Sequence, residues 1–232
     1  MVHIRQYLVS VAVAIKVTGG RNNTRRKVCI HETDNTKKGS GADNHAKLQV
    51  NGNSRQASWH WIVDDKEAIQ SFTHDYQCWA AGSTKGNNEA IHIEMCVNTD
   101  GDYIRTVQNT AALVAKILKD ENLTINDVVQ HNYYSGKNCP SKMRSTSAPI
   151  PWSSFLQMVK ANLQPVPPNN IAKDDDTMRF TNETLKAAVR DYLKQAVDKK
   201  LIDKSHLEKF DAGTLTDGDF KGLEIIIAQR SV

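Results

Sequence analysis

The stretch Ile91-His92-Ile93-Glu94-Met95-Cys96-Val97 decides how the fold is read. Its residues alternate. Ile91, Ile93, Met95 and Val97 fall on one face of a strand, and His92, Glu94 and Cys96 fall on the other. Glu94 is thereby directed away from the apolar face. Upstream, Lys27-Val28-Cys29-Ile30-His31 reads as a short strand. Ala57-Ser58-Trp59-His60-Trp61-Ile62-Val63 reads as another, because it alternates and carries aromatic and β-branched residues. Downstream, Val107, Ala111, Val114, Ile117 and Leu118 recur at helical spacing, as do Trp152, Phe155, Met158, Val159 and Leu163. Thr124 with Asp127 has the form of a capping box opening a short helix near residue 125. Strands interspersed with helices predict an α/β domain, a central mixed β-sheet flanked by helices.

Working outward, the clearest boundary is Gln164-Pro165-Val166-Pro167-Pro168-Asn169-Asn170, followed by the acidic run Asp174-Asp175-Asp176. Prolines remove backbone donors and favour an extended spacer. The expected organisation is a catalytic domain over 1–164, a linker over 165–178 and a small C-terminal helical domain over 179–232. In that last part Leu185, Val189, Tyr192, Leu193, Val197 and Leu201 make one apolar stripe. Ser205-His206-Leu207-Glu208 has the capping-box form for a second helix, Asp211-Ala212-Gly213 reads as a turn, and Phe220, Leu223, Ile226 and Ile227 suggest a third helix. So small a unit is marginal alone. The expectation is a dimer through these helices, or support from the neighbouring domain.

The 232 residues carry a formal charge of +4, unevenly spread. Residues 165–232 hold 11 basic and 12 acidic side chains, the remainder 19 and 14. A mildly basic first domain suits an anionic polymer; with no recognised nucleic-acid motif, nucleic acid is not an expected partner. No run approaches the roughly 20 apolar residues of a membrane-spanning helix, so stable membrane insertion is not expected. Tyr7–Ile15 is apolar and follows Arg5, but it is short and leads into Lys16 and Gly19-Gly20-Arg21, so it reads as a structured segment rather than a cleaved signal. The four cysteines, Cys29, Cys78, Cys96 and Cys139, are widely spaced and show no CxxC pair. They do not form a disulfide framework. Cys29, Cys78 and Cys96 read as small buried hydrophobes, and Cys139 is set apart by its neighbours.

The residues with the right chemistry for a metal are His31, His131 and Cys139. Imidazole and thiolate are natural zinc ligands, and a catalytic zinc keeps three protein ligands and one open position. Their spacing is not diagnostic: a strand histidine, a loop histidine and an unrelated thiol would read the same way. The surrounding words add to it. Val28-Cys29-Ile30-His31-Glu32-Thr33 with Asn35-Thr36, Ala57-Ser58-Trp59-His60-Trp61 with Val63-Asp64-Asp65, Ile91 to Asn98, and His131-Asn132 through Ser135-Gly136-Lys137-Asn138-Cys139-Pro140 occur in that order. Together they resemble the type-2 N-acetylmuramoyl-L-alanine amidases, and among these the endolysins of phages and prophages of Gram-positive bacteria. The resemblance covers about residues 1–163.

The resemblance implies the fold shared with peptidoglycan recognition proteins, and Zn2+ held by His31, His131 and Cys139. It implies a catalytic Glu94 and a Lys137 that acts on the reacting carbonyl. The implied reaction is hydrolysis of the amide between N-acetylmuramic acid and L-alanine in the peptidoglycan of a Gram-positive wall. In those roles zinc activates a water and polarises the amide. Glu94 takes the water proton and passes it to the leaving amine, and Lys137 steadies the oxyanion. No covalent intermediate is required. A Cys–His hydrolase would lack an obvious third group and leave His31 unused.

The sequence also departs from the family pattern. Trp59 stands where relatives have an aromatic residue, sometimes a tyrosine whose hydroxyl acts in catalysis; indole cannot act as an acid near neutral pH. Cys78-Trp79-Ala80-Ala81-Gly82 replaces a tryptophan–histidine–alanine–glycine word, with Ala80 in the place of the histidine. His60 reads as either a core or a functional histidine, and His74 has no assigned role. His3, His45, His92 and His206 read as surface or structural. Glu208-Lys209-Phe210 and Gly213-Thr214-Leu215-Thr216-Asp217 resemble C-terminal segments of Bacillus-type lysins, which implies wall targeting; a helical oligomerisation or stabilising module is the alternative. A lysin of this kind is made in the host cytoplasm and reaches the wall through a separate pore protein. A wall-recycling amidase and a non-catalytic peptidoglycan-binding module are the competing functions.

Overall fold

The computed structural model describes residues 2–164, 178, 180 and 182–230. The chain divides into two compact units, Met1–Pro165 and Val166–Val232. The expected linker over 165–178 lies outside the described residues, apart from Met178.

The first unit is built on a six-stranded sheet. Its strands are β1 (His3–Gln6), β2 (Lys27–Glu32), β3 (Trp61–Val63), β4 (Glu67–Gln70), β5 (Ala90–Met95) and β6 (Val128–Gln130). The order across the sheet is β1-β4-β3-β5-β2-β6. Only the β3–β4 pair is antiparallel; the other pairings are parallel. The helices are α1 (Val11–Val17), α2 (Ala42–Val50), α3 (Thr84–Glu89), α4 (Tyr103–Asp120), α5 (Asn132–Ser135), α6 (Ser141–Arg144) and α7 (Trp152–Leu163). The mixed sheet with flanking helices matches the fold expected from the sequence.

Alternation along the strands gives the sheet two unlike faces. Val28 and Ile30 of β2, Trp61 and Val63 of β3 and Ile91, Ile93 and Met95 of β5 enter one large core. There they meet Val107, Ala111, Val114, Ile117 and Leu118 of α4 and Phe155 and Val159 of α7. The opposite face is shared. At β3 and β4, Ile62 and Ile69 pack with Ala42 and Ala46 of α2, with Trp59 and with Cys96. On β2 and β5 the same face carries Cys29, His31, His92 and Glu94, and this is where the chemistry collects.

Two expectations are corrected, and one strand was not foreseen. The strand expected over 57–63 is limited to Trp61–Val63. Ser58 Oγ donates to the Val17 carbonyl (2.6 Å) and accepts from Trp79 N–H (2.8 Å). Such side-chain bonds compete with a regular ladder. β4 was not foreseen, although its turn is written in the sequence: Asp64 Oδ1 accepts from the N–H groups of Lys66 (2.8 Å) and Glu67 (2.9 Å), closing the β3–β4 hairpin. Ser205 does not cap the second C-terminal helix. The cap is Asp203, two residues earlier, and its Oδ1 accepts from Ser205 N–H (2.9 Å). A carboxylate at a helix N-terminus combines capping with favourable charge. Glu208 pairs instead with Lys204 (3.0 Å).

The expected capping bond after Thr124 is present: Asp127 Oδ2 accepts from Thr124 N–H (2.9 Å), at a single 3-10 turn over Ile125–Asp127. The apolar segment at 7–15 is ordered. Tyr7 and Val9 N–H groups donate to the Gln70 and Ser71 carbonyls. Ala14 and Val17 of α1 are buried with Phe72, Tyr76 and Cys78.

The second unit consists of α8 (Glu183–Asp198), α9 (Lys204–Asp211) and α10 (Asp217–Arg230). Its core is Leu193, Ala196, Ile202, Phe210, Leu215, Leu223 and Ile227. Gly213 makes the turn between α9 and α10 with φ +69°. No described helix is long and apolar enough to cross a membrane.

Candidate metal centre

The sheet register builds the site. His31 of β2 lies directly beside Glu94 of β5, and both side chains leave the face opposite the large core. Ile30 pairs with Gln130, the last residue of β6, and the next residue, His131, donates its backbone N–H to the Ile30 carbonyl (3.1 Å). Three parallel strand ends thus present His31, Glu94 and His131 together, at the carboxyl edge where open sheets with parallel strands place ligands. The chain returns through α5 and the loop after it. Gly136 takes the left-handed conformation (φ 73°) that ends α5. Asn132 Nδ2 donates to the carbonyls of Gly136 (2.9 Å) and Lys137 (3.0 Å), and Asn132 N–H to that of Cys139 (3.1 Å). The loop therefore folds back on itself and delivers Cys139 beside His131.

His31 Nδ1 and His131 Nδ1 are 3.0 Å apart. Ligand atoms of His31, His131 and Cys139 all lie within 4.8 Å of one another, and all three residues are buried. His31 Nε2 is occupied by His92 Nδ1 at 3.1 Å, which leaves His31 Nδ1 as the nitrogen facing the cluster. Burial, before any neighbouring charge, pushes both imidazoles below their ordinary value, so they are neutral and offer lone pairs. Burial pushes the Cys139 thiol up to about 12, although the Glu32 backbone N–H, donating to Sγ at 3.4 Å, works against this. A divalent cation reverses that balance by coordinating the thiolate. Two neutral imidazoles converging at this distance on a buried thiol form a donor set that fits a tetrahedral divalent metal with one position left open.

Glu94 and Lys137 border the same cleft, a space of about 240 Å³ lined also by Glu32, His45, Arg55, Trp59 and Ala80. Glu94 Oε1 is 4.0 Å from His31 Nδ1. Its other oxygen is buried without a hydrogen-bond partner. Burial raises its carboxyl to about 8; the Lys137 charge opposes this and the Glu32 charge adds to it. A larger hollow of about 560 Å³ lies between Val2, Ile4 and α4, and holds no comparable cluster of chemical groups.

The family described as N-acetylmuramoyl-L-alanine amidase matches residues 21–142, a stretch that contains all five of these residues. The chain belongs to this family. Amidase CwlH of Bacillus subtilis (strain 168) is 38% identical over 141 residues, which is 60% of this chain and 54% of CwlH. Amidase XlyA of the same organism is 36% identical over 130 residues, 55% of this chain and 42% of XlyA. The chain thus spans about half the length of the curated amidases it matches. Among solved structures, the catalytic domain of XlyA aligns with a TM-score of 0.62 at 33% identity, covering 68% of this chain and 99% of that one. A mutant endolysin from Bacillus subtilis aligns with a TM-score of 0.63, with the same identity and coverage.

The family's outer positions can now be placed in this amidase fold. Trp59 and Ala80 line the cleft. His60 does not: its Nε2 donates to the Tyr76 carbonyl (2.9 Å) and its Nδ1 accepts from His92 N–H (2.9 Å), so it is a satisfied core histidine. His74 is held between Trp61 Nε1 and Glu121 Oε1, at 2.7 Å from each. Cys29, Cys78 and Cys96 are buried and free, as expected. His3 is exposed and His206 half-buried. Of the surface-or-structural expectation, His92 and His45 meet the structural half. His92 is buried against His31, and His45 lies on the cleft wall with both ring nitrogens lacking partners. The helix carrying His45 showed no motif in the sequence. Glu32 was also missed, although it stands next to His31.

Proposed function

We propose that the chain is a zinc-dependent N-acetylmuramoyl-L-alanine amidase that hydrolyses the amide between N-acetylmuramic acid and L-alanine of peptidoglycan. The observation that carries this reading is the buried His31–His131–Cys139 cluster opening into one cleft with Glu94 and Lys137. His31 Nδ1, His131 Nδ1 and Cys139 Sγ would hold the zinc. When bound, it supplies Lewis acidity for the water and the amide carbonyl. Glu94 is the group that moves the proton. A divalent cation held beside it would favour its ionised form over the raised value of the metal-free site, and the carboxylate, alongside His31, takes a proton from the attacking water and gives it to the departing amine. Lys137 sets a fixed positive charge at the cleft and stabilises the oxyanion of the tetrahedral intermediate. Trp59 shapes the wall on which the glycopeptide lies.

The relatives named as amidases and the solved endolysin support a role as a phage or prophage lysin acting on a Gram-positive wall; the proposed route to the wall is a separate pore protein. The organisation proposed is a catalytic domain over 1–164, a linker over 165–178 and a wall-targeting helical module over 179–232. A second binding site raises the local enzyme concentration on its polymer.

Metal analysis tests the proposal. Purified protein is expected to carry about one zinc per chain. Chelation should abolish release of amino termini from purified wall, and added zinc should restore it. Undiminished release after the metal has been removed contradicts the assignment.

A further inference from the structure

Glu32 has one of the most fully used side chains near the cleft, and the reaction proposed above gives it no part. It ends β2, one residue after His31, and is only 5% exposed. Its Oε1 accepts from Tyr103 Oη at 2.6 Å. Its Oε2 accepts from Ser141 Oγ (3.1 Å) and from the backbone N–H of Lys142 (2.8 Å). Its own backbone N–H donates to Cys139 Sγ at 3.4 Å. The ammonium of Lys142 is over the Tyr103 ring, 4.6 Å from its centroid, rather than in an ion pair with Glu32. Among the described residues no ion pair neutralises Glu32, so hydrogen bonds alone hold its carboxylate.

A buried carboxylate is costly unless its oxygens are well partnered. Here the partners lie on two helices. Tyr103 opens α4, and Ser141 and Lys142 open α6, two and three residues beyond Cys139. One side chain therefore ties the end of β2 to the segment that carries the thiol. Its backbone fixes the thiol from the other side. His31 and Cys139 belong to segments more than 100 residues apart in sequence, and Glu32 is a bond network joining them at the point where their ligand atoms must meet.

We propose that Glu32 is a positioning residue that presets Cys139 for the metal, so that it governs metal affinity rather than the chemistry on the substrate. This rests on the metal reading given above. Groups that orient metal ligands without touching the metal typically change affinity by about 10- to 100-fold when removed.

The test uses the full chain as wild type and as Glu32→Gln, Glu32→Ala, Tyr103→Phe and Cys139→Ala. Each is stripped of metal and titrated with zinc against a competing chelator, and with cobalt while the thiolate-to-cobalt charge-transfer band is recorded. The melting temperature of each metal-free protein is measured in parallel. Wild type should bind one metal with a strong thiolate band, and Cys139→Ala should lose the band; failure of these two controls overturns the metal reading itself. With the controls in place, Glu32→Gln is expected to weaken zinc binding by about tenfold, and Glu32→Ala by up to about 100-fold, each with a reduced band. Tyr103→Phe, which removes one donor and leaves the other two, keeps the test decisive if the Glu32 variants unfold, and should weaken binding by a smaller factor. Zinc affinities and cobalt bands within twofold of wild type in the folded variants would overturn the proposal. So would a loss that merely follows the fall in metal-free melting temperature.

Discussion

Glu94 is placed by strand register rather than by a loop, which fixes its distance to His31 through the backbone of two neighbouring strands. Glu94→Gln preserves shape and removes the proton-accepting oxygen. The variant is expected to keep its metal and lose about 10²- to 10⁴-fold in activity, read by metal analysis beside amine release. An active Glu94→Gln protein refutes the role. His60 makes a prediction about stability. Burial, then the charges of His92 and His74, hold its imidazole well below 6.5, so the folded protein keeps it neutral. As pH falls below that value the unfolded chain takes up a proton and the folded one does not. The stabilisation present at pH 7 is therefore lost toward acid, at up to about 1.4 kcal/mol per pH unit for each such histidine. Denaturant unfolding at several pH values should show a shallower acid loss in His60→Gln than in wild type; equal slopes count against it. At this scale the sequence was legible where words of several residues surrounded one chemical group, as with His31, Glu94, His131, Lys137 and Cys139. It was not legible for Glu32 and His45, because what they meet depends on which distant elements come together.

Length and period decided what could be read among the elements. α4 and α7 run long enough for their apolar stripes to declare themselves, and they meet in the core they predicted. β1, β4 and β6 have only three or four residues, too few for alternation to stand out. β4 needed its Asx turn to be noticed, and the second C-terminal helix needed Asp203 to be weighed against Ser205 as its cap. The α4–α7 layer also supports the site from behind, because Ile93 of β5 presses into it while Glu94 faces the cleft. Phe155 is fully buried in this layer. Phe155→Ala should destabilise the protein by about 3–5 kcal/mol, measured by denaturant unfolding. A change below about 1 kcal/mol would mean that the layer is not packed as described.

The whole molecule divides into a unit that carries the His/Cys clusters found among the described residues and a smaller helical unit with a core of its own. Deleting residues 165–232 is expected to leave metal content unchanged and to weaken retention on purified wall, checked by sedimentation with the wall. Unchanged retention removes the targeting role from the helical module. No wall-binding surface was legible in the sequence of these helices, because their apolar positions specify a core, not a surface. The central claim concerns the bond that is cut. Mass spectrometry of purified peptidoglycan digested by the full chain, with and without chelator, tests it most directly. The account predicts free stem peptides beginning with L-alanine and glycan strands with intact lactyl groups, both absent when chelator is present. Fragments with new reducing sugar ends and no new L-alanine amino termini would contradict it.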